Sequence, residues 1–416
     1  MRARRTPVPG TLLALAAILA SFAIAALPSA ATAQTGGAGE VVEPPEGAEP
    51  AGLTPFDHQG MWIWYVDKSD GGKIARIVSR AQRYGIGTLY IKAGDAGDSW
   101  TQFNPGLVEA LHRGGLEVCA WQFVYGDNPI GEAKVGAEAV DDGADCLVID
   151  AEGQYEGKYA SADRYIRGLR KRIGANFPLS LAAFPYVDYH PSFPYSVFFG
   201  PEGATVNQPQ MYWKAIETSV RSVYEHTYLY NRIWDHPLYP LGQTYGGAGR
   251  KSIQRFRRFA ESFGGLEPSW WDWQETSGAG WKALGADRLK PIAGYRPSFS
   301  HPILRKGSRG DMVVWAQEHL RSAGENVPVT GLFGKLTRGA VRGFQDSAGL
   351  PVDGVVGTTT WKALLRYDPV RYLWGGRKPK RGTRASSSAA RTIPPSRPLS
   401  ASLPAKGYEI DPGPRP

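Results

Sequence analysis

The sequence predicts an α/β chain: a (β/α)8 (TIM) barrel followed by a small all-α module. Three observations carry this. Between residues 56 and 285, short apolar or aromatic runs alternate eight times with helical patterns. The polar and aromatic residues of that region collect at the C-terminal ends of the runs, where such barrels place their sites. Beyond residue 302 the pattern changes to short helices separated by glycine turns. A doubly wound open sheet is the alternative for the first part. It would usually carry a Gly-rich phosphate loop after its first strand, where this chain has Trp64-Tyr65-Val66-Asp67.

At 416 residues the chain is long enough for two domains. Residues 1–33 read as a secretory signal: Arg2, Arg4 and Arg5, an apolar run from Leu12 to Leu27, and Ala31-Thr32-Ala33 as cleavage site. A retained membrane anchor is the alternative, since the run is nearly long enough to span. Residues 34–55, rich in Gly, Pro and Glu, form a flexible lead-in.

The expected strands are Met61–Val66, Thr88–Ala93, Glu117–Tyr125, Cys146–Glu152, Leu179–Tyr186, Asn207–Trp213, Tyr239–Tyr245 and Ser269–Gln274. Helical patterns between them include Lys73–Tyr84, Gly131–Asp141, Ser161–Ile173, Ile216–Tyr230 and Ser252–Phe263. Within the fourth strand, Asp150 and Glu152 share a face, with Cα atoms about 6.6 Å apart. Two carboxylates at a strand tip can divide acid and base roles if their environments separate their pKa values. The plain alternative is an acidic strand end that caps a helix or pairs with a cation.

Alternation aims Lys92, Gln122, Asp150, Glu152, Gln210 and Tyr212 inwards together. Asp188, Trp271 and Asp272 stand at the ends of the fifth and eighth strands and complete the expected substrate-binding set. Lys92 either contacts substrate or forms an ion pair with Asp150. Gln122 and Gln210 either contact substrate or satisfy one another. Trp62, Trp64 and Trp271 serve either packing or sugar stacking. By the same alternation Cys146 faces the barrel and Cys119 the helices, so both are expected as buried free thiols. They lack metal-ligand spacing, and neither a metal nor a cofactor is expected.

The strand Val148-Ile149-Asp150-Ala151-Glu152-Gly153, the strand Gln210-Met211-Tyr212-Trp213 and the segment Trp273-Gln274-Glu275-Thr276-Ser277-Gly278 together resemble family 25 glycoside hydrolases, the Chalaropsis-type lysozymes. The likeness covers most of residues 56–285. It implies Glu152 as general acid and Asp150 as the group that orients or stabilises the substrate. The family opens on a G-x-D-V-S strand whose aspartate lines the site. Here the opening is Gly60-Met61-Trp62-Ile63-Trp64, with no acid at that place, and Asp188 and Asp272 are both candidates for the family's later acid.

Residues 286–301 read as a linker, and residues 302–367 as the second module. Its repeat, V-x-G-x-x-G-x-x-T, occurs at Val329–Thr337 and Val352–Thr360. Together with Leu304-x-x-Gly307-x-x-Gly310, Ala316-Gln317-x-x-Leu320, Val341-x-x-Phe344-Gln345 and Trp361, it closely resembles the three-helix peptidoglycan-binding domain attached to many wall hydrolases. The resemblance implies peptidoglycan as partner. The tail, residues 376–416, sets nine basic residues against Glu409 and Asp411, which accounts for much of the chain's net charge of +9. It reads either as a solvated disordered segment or as an adhesive for anionic wall polymers. Nucleic acid is not expected for a secreted chain, and oligomeric state is left open. Two functions follow: a secreted muramidase-like wall hydrolase, or a wall-binding protein whose barrel has lost activity.

Overall fold

The computed structural model describes residues 53–285 and 287–374. The leader, most of the lead-in and the basic tail lie outside the described residues. Among the described residues no helix is long and apolar enough to cross a membrane.

The first part is a TIM-like α/β layer structure. Its strands are β1 (Gly60–Ile63), β2 (Thr88–Asp95), β3 (Asp98–Ser99), β4 (Glu117–Val124), β5 (Cys146–Ala151), β6 (Leu179–Ala182), β7 (Val206–Asn207), β8 (Gln210–Met211), β9 (Leu241–Gln243) and β10 (Ser269–Trp271). The helices are α1 (Ile74–Arg83), α2 (Pro105–His112), α3 (Pro129–Asp141), α4 (Tyr159–Ile173), α5 (Tyr195–Phe198), α6 (Val220–Asn231), α7 (Arg250–Ser262) and α8 (Gly278–Leu284). The sheet runs in the order β7-β6-β5-β4-β2-β1-β10-β9-β8, with every pair along it parallel. Only the short β3 is antiparallel, folded back on the end of β2. The two ends of the path, β7 and β8, are separated in sequence by Gln208 and Pro209 alone. Proline has no N–H to give to a ladder, so a strand expected to run unbroken from Asn207 to Trp213 is split there.

Burial follows the strand period. On β5, Leu147, Ile149 and Ala151 join the core beneath the helices, while Cys146 and Val148 join an inner, aromatic core. That inner core holds Trp62, Tyr90, Trp121, Phe123 and Trp271. The rings of Trp62, Trp121 and Trp271 lie 5.3 to 5.8 Å apart. The interior is therefore filled by tilted indoles, at separations typical of favourable aromatic pairs.

Two expectations fail on β4, for one reason. Here Cys119, Trp121 and Phe123 face inwards, so Gln122 faces the helices. Its amide donates to the carbonyls of Ala96 (2.7 Å) and Glu132 (2.9 Å), and its oxygen accepts from the Tyr165 hydroxyl. The interior takes the bulky aromatic set, while the equally buried Gln122 amide is satisfied by backbone carbonyls on the helix side. The cysteines consequently share the inner face. Cys119 and Cys146 are register partners on adjacent strands and form a disulfide, rather than two free thiols.

The C-terminal part contains α9 (Asp311–Ser322), α10 (Lys335–Ser347) and α11 (Thr358–Leu364), tied by bridges at Leu304–Val356 and Arg309–Leu332. It is fastened to the α/β part. The Asp311 carboxylate accepts from the Ser196 N–H (2.7 Å) and hydroxyl (2.6 Å), and the Asp311 N–H donates to the Pro191 carbonyl (2.7 Å). The Trp315 indole N–H donates to the Ile233 carbonyl, with its ring edge-on to Trp234. Gly310, at φ +98°, lies so close to Pro191 that a Cβ would meet its carbonyl at 2.4 Å.

Candidate active site

The end of β5 delivers Asp150 and, one residue past the strand, Glu152. Both are buried, at 7% and 1% exposure. One group ties them together: the Gln210 side-chain amide donates to Asp150 Oδ1 (3.0 Å) and to Glu152 Oε1 (2.8 Å). Gln210 is placed by β8, immediately after the Pro209 interruption. The amide's own oxygen is buried and accepts no hydrogen bond.

These groups line a recess walled by Trp62, Trp64, Trp121, Phe123 and Trp271. The indole N–H of Trp64 is buried without an acceptor. Trp62 directs its own N–H away to Ser269 Oγ (3.0 Å). The opening strand thus contributes an indole at the place where the resembled family carries an acid.

Lys92 lies at the same mouth, with its side chain fully buried. Its ammonium sits 4.5 to 5.3 Å from the ring centroids of Trp121, Trp100 and Trp64. It donates to Asp95 Oδ2 (2.7 Å), so the ion pair expected with Asp150 is instead made with Asp95. A register shift between Lys92 and Gly94 bends the end of β2, and Asp95 also accepts from the Tyr125 hydroxyl (3.1 Å). Burial pulls the Lys92 pKa down, opposed by Asp95 and then by Asp150 and Glu152. For Asp150, burial pushes the pKa up to about 7, with Lys92 opposing and Asp95 adding to the rise.

The remaining expected residues divide. Trp271 walls the recess. Tyr212 is buried in the inner core with its ring against Tyr245, and burial raises its pKa well above the usual value. Asp272 follows a cis peptide after Trp271. Burial raises its pKa to about 7, opposed by the Glu275 N–H, which donates to its carboxylate at 3.0 Å. Tyr212, Asp272 and Asp188 are not part of the recess lining, and Asp188 is turned to another partner. It pairs with His226 (2.7 Å) among the rings of Tyr186, Tyr189 and Tyr230. Asp95 was absent from the expected set. Its signal was present as an acid three residues after a buried lysine, with a glycine between them to permit the bend. Among the described residues, no group of three or more His, Cys, Asp or Glu side chains could hold a metal ion.

Fold and site together define a TIM-like α/β domain with a carboxylate pair in an aromatic recess, joined to a helical module. Comparison with known proteins places the module more narrowly. Residues 309–364 match the family model for a putative peptidoglycan binding domain. The chain is 37% identical over 70 residues to the spore cortex-lytic enzyme of Bacillus cereus, covering 17% of this chain and 27% of that protein. It is 41% identical over 70 residues to the spore cortex-lytic enzyme of Bacillus subtilis (strain 168), covering 16% and 23%. The chain thus spans between 23% and 27% of the length of these curated relatives. A solved peptidoglycan-binding protein from Clostridioides difficile, in complex with glutamine hydroxamate, aligns at 42% identity. That alignment covers 16% of this chain and 41% of that one, with a TM-score of 0.16.

Proposed function

We propose that this protein is a secreted cell-wall hydrolase of the family 25 type. Its α/β part is a closed (β/α)8 barrel that cleaves glycosidic bonds of peptidoglycan, as a muramidase, while residues 309–364 hold it on the wall. The observation that carries the reading is the Asp150–Gln210–Glu152 bridge at the mouth of an aromatic recess. Two carboxyl groups held by one amide stand close enough to act on one glycosidic bond. Glu152 donates its proton to the glycosidic oxygen as the bond to the anomeric carbon breaks. The carbon is taken up by a nucleophile on the opposite face, either Asp150 or the oxygen of the substrate's own acetamido group. Water, deprotonated by Glu152, then attacks that carbon and restores the starting state.

Two buried atoms at the recess, Gln210 Oε1 and Trp64 Nε1, support an amino-sugar substrate. An acetamido group offers an N–H, which Gln210 Oε1 lacks, and a carbonyl, which Trp64 Nε1 lacks. Lys92, Tyr212, Trp271 and Asp272 are the residues we assign to binding or positioning around the pair. Gln122, turned to the helices, and Asp188, held by His226, do not belong with them.

A second reading, a wall-binding protein without activity, draws on the indole of Trp62 where the family has an acid. One experiment separates the two. Purified peptidoglycan is digested with wild type and with Glu152→Gln, and new reducing ends are counted. We expect the variant to bind sacculi normally and to release reducing ends at least about a hundredfold more slowly. A folded, sacculus-binding wild type that releases none sinks the hydrolase, and an equally active variant sinks the site.

A further inference from the structure

The outer surface beside α1 and α8 carries a feature that the recess does not explain. Arg76, Arg80 and Arg83 follow one another at i, i+4 and i+7 along α1, so they share one face, spanning about 10.5 Å. They border an open groove whose wall includes Tyr84 and Trp281. The central arginine is fixed. Its guanidinium pairs with Asp70 (2.7 Å) and lies 5.5 Å from the Trp281 ring centroid, which is itself packed on Tyr84.

The flanking arginines are different. Arg76 and Arg83 are exposed, and their side chains have no ion-pair or hydrogen-bond partner among the described residues. Lys73 before α1 and Lys282 on α8 are exposed as well. Neither α1 nor α8 contains an acidic residue. Asp70, the one carboxylate lining the groove, is already engaged by Arg80 and by the Trp273 indole N–H (3.1 Å). Like charges along a helix cost stability, so a row of three arginines without interleaved acids is not what a merely solvated face favours.

We propose that this groove is a second binding site, for an extended phosphodiester polymer. Guanidinium groups match phosphate oxygens in a planar, two-point fashion, and two free ones about two helical turns apart, flanking the paired Arg80, suit an extended ligand whose charges repeat. The alternative, an anionic membrane surface, is disfavoured by the surroundings. None of the large exposed apolar side chains lies between residues 70 and 84 or 278 and 284, so nothing there could enter a bilayer. The choice of a wall polymer rests on the proposed wall address, but the arginine row does not.

The test uses the full chain, as wild type and as Arg76→Glu/Arg83→Glu, titrated with soluble poly(glycerol phosphate). Both proteins are then sedimented with sacculi stripped of phosphate polymers. We expect the variant to bind the polymer about tenfold more weakly, to bind stripped sacculi as wild type does, and to keep the wild-type melting curve. The basic tail contributes equally to both proteins and cancels. If charge reversal lowers the melting temperature, Arg76→Ala/Arg83→Ala replaces it, with an expected weakening of about threefold. Equal affinity of wild type and variant for poly(glycerol phosphate) overturns the proposal. So does a larger loss on phosphatidylglycerol vesicles than on the polymer, which assigns the face to a membrane. Failure of wild type to bind stripped sacculi counts against the peptidoglycan reading alone, because the polymer titration still decides the groove.

Discussion

The disulfide inside the sheet gives a prediction whose size can be worked out. Cys119 and Cys146 are separated by 27 positions and join neighbouring parallel strands. Cross-linking a loop of that length removes chain entropy from the unfolded ensemble worth about 3.5 kcal/mol at 25 °C. Both residues are fully buried, so the double variant Cys119→Ala/Cys146→Ala also loses some packing, and the entropic figure is a floor. With an m-value of about 3 kcal/mol per molar urea, the unfolding midpoint should fall by about 1 M. The assay is urea unfolding of wild type and double variant, followed by near-ultraviolet circular dichroism. A thiol titration of denatured, unreduced wild type accompanies it and should find no free thiol. Coincident midpoints, or two titratable thiols, refute the reasoning.

Other outcomes follow from the same geometry. Asp150 has a folded pKa of about 7, above its unfolded value, so the folded state holds a proton that the unfolded state releases between about pH 4 and pH 7. Its contribution to stability is therefore present at low pH and lost as pH rises through that window. Asp150→Asn removes the loss, so the melting temperature of the variant relative to wild type should rise from pH 5 to pH 8, and a flat difference refutes it. Gln210→Leu leaves two buried carboxylates without their shared donor, a cost of about 2–4 kcal/mol readable in urea unfolding. An unchanged midpoint shows that the bridge is not formed. Trp315→Ala empties a buried indole site between the two parts and should cost about 3–5 kcal/mol. Limited proteolysis should then cut faster between residues 287 and 303, and an unchanged cleavage rate argues against the docked arrangement.

The placement of the recess side chains was legible wherever local period and composition decided the outcome. The run from Cys146 to Ala151 is apolar on both faces and β-branched, and it forms the strand expected of it, with Asp150 and Glu152 on one side. On β4, alternation alone offered two parities, and the choice fell on the one that put Gln122 inside. The volume of Trp121 and Phe123 decided otherwise, and the same shift brought the cysteines face to face. The partners of Lys92 and Asp188 were set by where separate elements meet. A bend at Gly94 brings Asp95 to the lysine, and the packing of α6 brings His226 to Asp188; periodicity gives the helix but neither meeting. Likewise the break at Pro209 was readable as a proline, while its consequence, an amide aimed at both carboxylates, needed the neighbouring strands in place.

The seam at Asp311 and Trp315 bears on how far the chain can reach. A domain on a loose tether explores a volume, and its effective concentration at any target is diluted over that volume. Here Ser196, Pro191 and Ile233 have already fixed distance and bearing during folding. A surface gripped by residues 309–364 therefore meets the recess at one offset, as work held in a jig meets its tool. Whatever lies at that offset is presented repeatedly, and whatever lies elsewhere is reached only by letting go.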